Sequence, residues 1–439
     1  MIEFNFINHS SFSIKIDGTR LTVDPWIEGS VFNNSWKLLT KTPLDSIDIV
    51  KNSDYIWFSH EHPDHFNPPN IKLFGNNTKF IFQKTKDKRV INFLNKISNN
   101  VIEASSNQLI KLANNFFIQV FPFQDIDSFC LITVNGKKIL NLNDCDIKSE
   151  NELNEIKNKV GDVDILFGQF SYAIGKSNKS EKKIRISLSK NILDNLNNVI
   201  SSLKPNFFVP FASFCYFSHL ENFYLNDSIN KIDHTINYLS QKNPNTKFLT
   251  FYPGDKWDLI SKKDNMLAIT KYLNDYKKII PEESSSKIID YETLIQTADA
   301  FIKKTKKNNN MFFLYNFFKH KDYDITFDIR DLNIYLKFNY RNGLIKVNNF
   351  NKDHPYCELS SDSLFQLFNS GYGYDALMIG GRFESNNSGL KSLEMIFKFQ
   401  TKNYQNHFYN FSNVIPKLWR KLSKYFFKTR FSIKLEIMR

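Results

Sequence analysis

The sequence predicts an α+β protein in which stacked β-sheets are flanked by helices, and three observations support this class. Up to about residue 145 the chain reads as short strands, rich in β-branched and aromatic residues, with brief connections. Between about residues 145 and 275, strand-like runs such as "VDILFGQF" alternate with helix-like segments such as "SENELNEIKNKVG". Beyond residue 292 strand-like patterns return. Such alternation is typical of folds built from packed layers of sheets and helices.

The first predicted element is a hairpin in "FSIKIDGTRLTVDPW", where two alternating apolar runs flank the turn dipeptide Asp17-Gly18. "SDYIWFSH", "TKFIFQ" and "NFFIQVFPF" predict further strands. A second hairpin is predicted around Asn135-Gly136, and the helices of "SENELNEIKNKVG" and "KNILDNLNNVISSLKP" follow it. "NFFVPFA" and "TKFLTFYPGD" predict buried strands that complete this layered region.

A change in composition divides the chain. Residues 1–275 are predicted to form one domain. The polar stretch "DYKKIIPEESSSKIIDYE" indicates a linker or long loop over residues 276–292. Residues 293–439 predict a C-terminal α+β domain with strands in "YDITFDIRDLNIYLKFNY" and a capped helix in "SSDSLFQLFNSGYG". We expect it to pack on the first domain, because a site built on loops needs a cover that excludes water.

Composition favours a globular protein with an anionic ligand. The 439 residues are 41% hydrophobic and 15% aromatic, which suffices for a large core. Lys and Arg outnumber Asp and Glu by 58 to 45, and the formal net charge of +13 favours a small anionic substrate. The basic residues are scattered rather than clustered, so no nucleic-acid partner is predicted.

The cysteines and the apolar runs bear on cofactors and location. Cys130, Cys145, Cys215 and Cys357 form no C-x-x-C pair, so neither disulfides nor an iron–sulfur cluster in this chain is predicted. The start "MIEFNFINHS" lacks the pattern of a signal peptide. No apolar run approaches the ~20 residues of a transmembrane segment. A reducing, cytoplasmic location is expected.

The segment "FSHEHPDHF", residues 58–66, holds three of the nine histidines of the chain. His60, His62, Asp64 and His65 follow a strand, and Pro63 prevents the strand from continuing, so the four side chains fan out from a loop. Imidazole nitrogens and a carboxylate suit zinc, iron or manganese, and this spacing can serve two metal ions. The alternative is a polar turn with incidental histidines.

The H-x-H-x-D-H pattern after a strand resembles the signature of the metallo-β-lactamase superfamily, and "NHSSFSIKIDGTRLTVDPW" is similar to its opening hairpin. This resemblance implies a four-layer αβ/βα sandwich with metals at one edge, here with a C-terminal α+β extension. In the family, the aspartate that bridges the metals follows a later strand, and "KKILNLNDCD" matches it with Asp144. A simple turn aspartate is the alternative for Asp144.

Within the superfamily, the chain resembles the CMP-N-acetylneuraminate hydroxylase family from about residue 5 to about residue 415. "GQFSYAIGKSN", "FFVPFASFCYFSHLENFYLND" and "YDALMIGGRFESNN" occur in the same order as similar stretches of that family. The resemblance implies that His219 is the last metal ligand. The resemblance covers only the metal-binding part of that family. The family also carries a Rieske domain with paired Cys and His ligands, and this sequence does not offer such ligands. Either a separate electron-transfer protein serves this one, or the chemistry differs.

Most of the superfamily has a third histidine on the first metal, but no histidine lies between His65 and His219. Asp125 or Asp127 in "FQDIDSF" is the candidate substitute, and a more oxygen-rich site suits iron or manganese better than zinc. The alternative, that both aspartates cap the turn, stays open. His9, in the opening hairpin, is expected near the site. Asp24 is expected to hydrogen-bond a ligand histidine and to fix its tautomer.

The favoured hypothesis is therefore a metal-dependent oxygenase-like enzyme with two divalent metal ions, iron favoured and zinc or manganese open. Its substrate would be an anionic sugar or natural-product intermediate, with a nucleotide sugar as one candidate. Asp64 and Asp144 are the candidate catalytic residues. The alternative is a dinuclear hydrolase of an ester, amide or phosphodiester, in which a bridging hydroxide attacks and Asp64 relays the proton. A binding protein that has lost catalysis is the third hypothesis.

Overall fold

The computed structural model describes residues 2–75, 77–124, 126–172, 175, 177–282, 287–310 and 323–411. Asp125, one of the two candidate substitutes for the missing histidine, lies outside the described residues. The chain forms two compact units, residues 1–284 with 379–381 and residues 285–378 with 382–439. None of the described helices combines the length and the apolar character that a membrane span requires.

The first unit is built mainly from strands. In chain order they are β1 (Glu3–Asn8), β2 (Ser11–Ile16), β3 (Thr19–Val23), β4 (Ser30–Val31), β5 (Trp36–Leu38), β6 (Tyr55–Phe58), β7 (Lys79–Gln83), β8 (Val101–Ala104), β9 (Leu109–Ala113), β10 (Phe116–Phe123), β11 (Asp127–Val134), β12 (Lys137–Asn141), β13 (Ile165–Gln169), β14 (Phe207–Phe211), β15 (Cys215–Phe217), β16 (Lys247–Phe248) and β17 (Lys256–Trp257).

Its helices are α1 (Leu44–Lys51), α2 (Pro68–Ile71), α3 (Arg89–Leu94), α4 (Glu150–Val160), α5 (Lys182–Leu203), α6 (Ile232–Lys242) and α7 (Met266–Lys278), with a 3-10 helix at Phe223–Ser228. The two predicted helices correspond to α4 and α5. Helix α4 begins with a capping box in which the Ser149 side chain and Glu152 satisfy each other's backbone N–H groups. Helix α5 begins earlier than predicted, at Lys182.

Two seven-stranded sheets carry the unit, with strand orders β17-β1-β2-β3-β6-β7-β8 and β16-β14-β13-β12-β11-β10-β9. Both predicted hairpins are confirmed, since β2 pairs with β3 around Asp17-Gly18 and β11 pairs with β12 around Asn135-Gly136. The strand predicted in "TKFLTFYPGD" is shorter than expected and covers only Lys247–Phe248. A third, three-stranded sheet of order β15-β5-β4 was not predicted.

The two sheets lie face to face. Phe12 of β2 stacks on Phe167 of β13 with ring centroids 4.6 Å apart, and both rings are fully buried. The outer side of the first sheet forms a second apolar cluster with buried residues of α1, α2 and α3, such as Val50 and Ile71. Helices α4, α5 and α6 cover the second sheet. This order of layers is the predicted αβ/βα sandwich, so the fold class is confirmed.

The candidate site residues lie at one edge of the sandwich. β1, β3 and β6 run in the same direction, and their carboxyl ends therefore meet at one edge. In the second sheet, the end of β12 and the start of β11 lie at one edge because the two strands are antiparallel. The residues that follow or begin these strands are His9, Asp24, His60 to His65, Asp144 and Asp127.

The second unit has its own sheet and core. Its strands are β18 (Ile325–Ile329), β19 (Ile334–Asn339), β20 (Gly343–Val347), β21 (Tyr356–Leu359) and β22 (Glu384–Ser385), in the order β20-β19-β18-β21-β22. Its helices are α8 (Tyr291–Asn308), α9 (Ser361–Asn369), α10 (Gly373–Gly380), α11 (Asn387–Phe397) and α12 (Gln400–Tyr404), and the last two residues of α10 group with the first unit. The predicted strands and the capped helix are confirmed, with Ser360 accepting from Ser363 N at the start of α9.

Candidate metal centre

The loop after β6 is closed by its own backbone. β6 ends at Phe58, and the N–H groups of His65 and Phe66 both donate to the carbonyl of His62, at 3.0 and 2.7 Å, which closes a turn around Pro63. The side chain of Glu61 turns to Arg89, whose Nη2 lies 2.8 Å from Glu61 Oε2. The three histidines and Asp64 are thereby presented on the same loop.

His60, His62 and Asp127 form one side of the site. His60 Nε2 lies 2.9 Å from His62 Nδ1 and 3.8 Å from Asp127 Oδ1. Burial, together with the neighbouring imidazoles of His65 and His62, holds the pKa of His60 well below its usual value. Burial and the charge of Asp144 raise the pKa of Asp127 to about 6. A neutral imidazole is the form that binds a metal ion.

His9, Asp64 and His65 form the other side, and all three are buried. Asp64 Oδ2 lies 3.6 Å from His9 Nε2 and 3.5 Å from His65 Nε2. Burial alone would raise the pKa of Asp64, but the charges of His65 and His9 outweigh it and lower that pKa to about 2. Burial would likewise lower the pKa of His65, yet the carboxylates of Asp144, Asp64 and Asp24 raise it well above its usual value.

Asp144 lies between the two sides. Its Oδ2 is 3.2 Å from His65 Nε2 and 4.0 Å from His60 Nε2. It reaches this position from the second sheet, in the loop after β12, where Asn143 adopts a left-handed φ of 46°. The carboxylate therefore contacts both histidines from the opposite layer, an arrangement suited to a ligand that two metal ions share.

Asp24 and Ser59 contact the ring nitrogens of His65 and His60 that face away from the site, and so orient the two rings. Asp24 Oδ2 lies 3.0 Å from His65 Nδ1 and accepts from Asn143 Nδ2 at 2.7 Å, while Asp24 Oδ1 accepts from the Ser59 backbone N–H. Ser59 Oγ lies 2.9 Å from His60 Nδ1. Because the Nδ1 atoms of His65 and His60 are engaged in this way, their Nε2 atoms face Asp144.

Several buried ligand atoms at the site have no hydrogen-bond partner, namely His9 Nδ1 and Nε2, Asp64 Oδ1, His65 Nε2 and Asp144 Oδ1. Buried polar atoms are normally satisfied, and each one left unsatisfied costs about 1–3 kcal/mol. Metal ions held by these imidazoles and carboxylates would satisfy one ring nitrogen of each histidine together with the carboxylate oxygens. The donor set also matches that of transition-metal sites, so the residues fit a metal centre.

His219, the ligand implied by family resemblance, has a different set of contacts. Its Nδ1 accepts from Glu221 N at 3.1 Å, and its backbone N–H donates to Asn222 Oδ1 at 3.0 Å. Among the described residues, the two groups whose ligand atoms lie within 4.8 Å of one another are His9, Asp64 and His65, and His60, His65 and Asp144. The ligand role of His219 stays a prediction.

Sequence reasoning missed Gln83. This buried residue ends β7, beside β6, and its Nε2 donates to the carbonyls of Ile126 and Asp127, which anchors the start of β11. A polar residue at the end of a buried strand next to the histidine strand is the signal that would have identified it. Asn143 was missed as well, since its role depends on Asp24 in another sheet.

Comparisons with known proteins agree with this picture. Residues 3–167 match the model of the beta-lactamase superfamily domain. The cytidine monophosphate-N-acetylneuraminic acid hydroxylase of Pongo pygmaeus is 24% identical over 424 residues, covering 86% of this chain and 69% of that protein. The inactive cytidine monophosphate-N-acetylneuraminic acid hydroxylase of Homo sapiens is 25% identical over 424 residues, covering 86% and 80%.

Two solved structures are similar over part of the chain. CmlA, a diiron β-hydroxylase from Streptomyces venezuelae, has 13% identity and a TM-score of 0.40, covering 58% of this chain and 53% of that one. Igni18, a metallo hydrolase from Ignicoccus hospitalis KIN4/I, has 16% identity and a TM-score of 0.41, covering 58% and 97%. The predicted resemblance to the metallo-β-lactamase superfamily, and to the metal-binding part of the CMP-N-acetylneuraminate hydroxylases, is confirmed by the domain model and the relatives.

Proposed function

We propose that this protein is an iron-dependent oxygenase-like enzyme that hydroxylates an anionic sugar or a natural-product intermediate, with a nucleotide sugar as the first substrate to test. The observation that carries the proposal is the position of Asp144, whose Oδ2 lies 3.2 Å from His65 Nε2 and 4.0 Å from His60 Nε2. The likeness to hydroxylases over most of the chain supports oxygen chemistry. The net charge of +13 supports an anionic substrate.

The proposed ligands divide between two metal ions. His60, His62 and Asp127 would hold the first, with Asp127 in place of the usual histidine. Asp64 and His65 would hold the second, with His219 as the further ligand that the family resemblance implies. Asp144 would be shared by both. Carboxylates thus make up much of the set, and such oxygen-rich sites suit iron or manganese better than zinc.

When bound, a pair of iron ions would supply the activation of dioxygen. The chain itself orients the ligands and limits the access of water. Asp24 and Ser59 hold the Nδ1 sides of His65 and His60. The Trp26 ring lies 5.4 Å from the His9 ring and the Phe32 ring lies 5.8 Å from the His62 ring, and both aromatic side chains are buried. These apolar walls exclude water, which protects a reactive centre from side reactions.

Hydroxylation by dioxygen requires two electrons and two protons for each oxygen atom inserted, because the other oxygen atom leaves as water. The four cysteines of the sequence form no disulfide, and Cys130, Cys145 and Cys357 are buried. They form no paired Cys and His pattern of the kind a Rieske cluster uses. We therefore propose that a separate electron-transfer protein supplies the electrons. Cysteines that form no disulfide also favour a reducing compartment such as the cytoplasm.

A hydrolase is the second candidate, and the match of residues 3–167 to the beta-lactamase superfamily domain favours it. The same residues would hold the metal ions, which would then supply a hydroxide nucleophile near neutral pH. Asp64 is the candidate proton relay to the leaving group. Its pKa is lowered to about 2, so its carboxylate is ionised near neutral pH.

Elemental analysis and oxygen reactivity separate the two candidates. The protein is expressed with iron, zinc and manganese all available, purified without air, and examined by Mössbauer and optical spectroscopy before and after exposure to oxygen. About two irons per chain that oxidise on exposure would support the oxygenase, and reductant-dependent oxygen uptake with nucleotide sugars would then be measured. Two zinc ions that are inert to oxygen would reject it and direct the search to phosphodiesters, lactones and amides.

A further inference from the structure

We propose that His9 is a direct ligand of the metal ion held by Asp64 and His65, an inference that rests on the metal pair of the proposed function. His9 is 1% exposed, and its Nε2 lies 3.6 Å from Asp64 Oδ2. One ligand atom each from His9, Asp64 and His65 fits within 4.8 Å. Strands β2 to β6 and helix α1 lie between His9 and the histidine loop, and the fold brings the His9 ring to the site.

Neither ring nitrogen of His9 has a hydrogen-bond partner, although both are buried. A structural histidine in a core normally satisfies at least one nitrogen with the backbone or a side chain. The ring instead lies between Trp26, at 5.4 Å, and His65, at 6.0 Å between ring centroids. A buried imidazole with an unpartnered nitrogen, beside a carboxylate and the unpartnered Nε2 of His65, offers the donor types of a metal-ion position.

The backbone at His9 belongs to the two-residue turn between β1 and β2. Its φ of 40° is left-handed, as the turns of tight hairpins require. The His9 N–H donates to Asn8 Oδ1 at 2.9 Å, and the His9 carbonyl accepts from Ala212 N at 3.1 Å. Asn8 is itself fixed, because its Nδ2 donates to Thr40 O and Thr42 Oγ1. These hydrogen bonds hold the backbone of His9 from two sides and so fix the point from which its ring extends.

With His9 included, each proposed metal position would have three protein ligands besides the shared Asp144 before His219 is counted. His60, His62 and Asp127 would form the first set, and His9, Asp64 and His65 the second. The competing explanation is that His9 only donates a hydrogen bond to Asp64. Either role leaves His9 Nδ1 without a partner, but the 3.6 Å between His9 Nε2 and Asp64 Oδ2 is longer than an ordinary hydrogen bond, which favours the ligand role.

The test compares His9→Gln with the wild-type chain in anaerobic titrations of metal-free full-length protein with Co²⁺, followed by visible absorption and by metal analysis after competition with a chelator. Glutamine keeps an N–H that can donate to Asp64 but is a poor metal ligand. We expect two Co²⁺ per wild-type chain, and in His9→Gln a second Co²⁺ bound at least ~10-fold more weakly, with an altered absorption band. His234→Gln, exposed on α6, is the matched control and should bind both ions normally.

His9→Asn is the second variant, because asparagine tolerates the left-handed φ and guards against a failure of His9→Gln to fold. A folded His9→Asn with the same weakened second ion would support the inference. Two ions bound with wild-type affinity and an unchanged absorption band in both variants would overturn it. A wild-type chain that binds no Co²⁺ or iron would instead reject the proposed function, and the two failures are therefore distinct.

Discussion

Asp24 Oδ2 lies 3.0 Å from His65 Nδ1, and both side chains are completely buried. Asp24 sits at the end of β3, and its other carboxylate oxygen accepts from the N–H of Ser59 at the end of β6. One carboxylate therefore fixes both the ring of His65 and the start of the histidine loop. Because β3 and β6 are adjacent parallel strands, the contact depends directly on the register of the first sheet.

This contact predicts the effect of Asp24→Asn. The amide keeps the size of the side chain but loses the charge that orients the His65 ring, so metal affinity should fall about 10–100-fold. Dissociation constants from chelator competition measure the change. Asp17→Asn, in the exposed turn of the first hairpin, is the control and should bind metal normally. Equal affinities in the two variants would show that Asp24 does not act through His65.

The position of Asp144 between the two sides predicts a difference between two carboxylate variants. Asp144→Asn should reduce the metal content from two ions to one or fewer per chain, because both ions lose a ligand. Asp127→Asn should weaken only the ion near His60, from which Asp127 Oδ1 is 3.8 Å away. Metal analysis after gel filtration measures both contents. Asp146→Asn, only two residues beyond Asp144, is the control and should keep the wild-type metal content. Identical losses of metal in the Asp127 and Asp144 variants would contradict the proposal that Asp144 is shared by both ions.

Loss of the Gln83 hydrogen bonds should lower both the stability of the fold and the affinity for metal. Gln83→Leu leaves the partly buried carbonyls of Ile126 and Asp127 without their donor, so the free energy of unfolding should fall by about 0.5–1.5 kcal/mol. Affinity for the ion near His60 should fall as well, because the start of β11 positions Asp127. Denaturant unfolding and metal competition measure the two effects. Gln119→Leu, on the half-exposed surface of β10, should change stability by no more than about 0.5 kcal/mol.

The ion pair of Arg185 with Asp227 should make a pH-dependent contribution to the free energy of unfolding. Its guanidinium is 1% exposed and binds both carboxylate oxygens of Asp227, at 2.9 and 2.7 Å. Arg185→Met leaves Asp227 and two backbone carbonyls without this partner, so the free energy of unfolding at pH 7 should fall by about 2–4 kcal/mol. Lys183→Met, its exposed neighbour, is the control and should have little effect.

The pH dependence follows from the pKa of Asp227. Burial would raise that pKa, but the hydrogen bond and charge of Arg185 outweigh it and lower the pKa below the usual carboxyl value. The pair therefore stabilises the fold fully above the unfolded-state pKa, and its contribution is lost as the pH falls through the lower folded-state pKa. The difference between wild type and Arg185→Met should narrow below about pH 4. A difference that is constant from pH 7 to pH 3 would contradict this ion pair.

The sequence by itself determined the class of fold and most of the ligand candidates. Turn dipeptides and alternating apolar residues are local signals, which is why both hairpins of the first unit were predicted at the correct residues. The H-x-H-x-D-H spacing is local as well, so it identifies the loop after β6 without any tertiary information. Helices α1 and α6 were not predicted, although α6 is as long as the predicted α4. The buried faces of α1 and α6 each include a polar residue, Ser46 and Thr235, whereas α4 buries only apolar residues.

Only the tertiary structure decided which residues from distant segments meet. It places Asp127 at 3.8 Å from His60 Nε2, aligns Asp24 with His65, and moves His9 from a residue expected near the site to one within 3.6 Å of Asp64. Gln83 and Asn143 act through backbone carbonyls and a carboxylate that lie far away in sequence. Such contacts depend on strand register and on the stacking of two sheets, and the order of residues along the chain does not encode them locally.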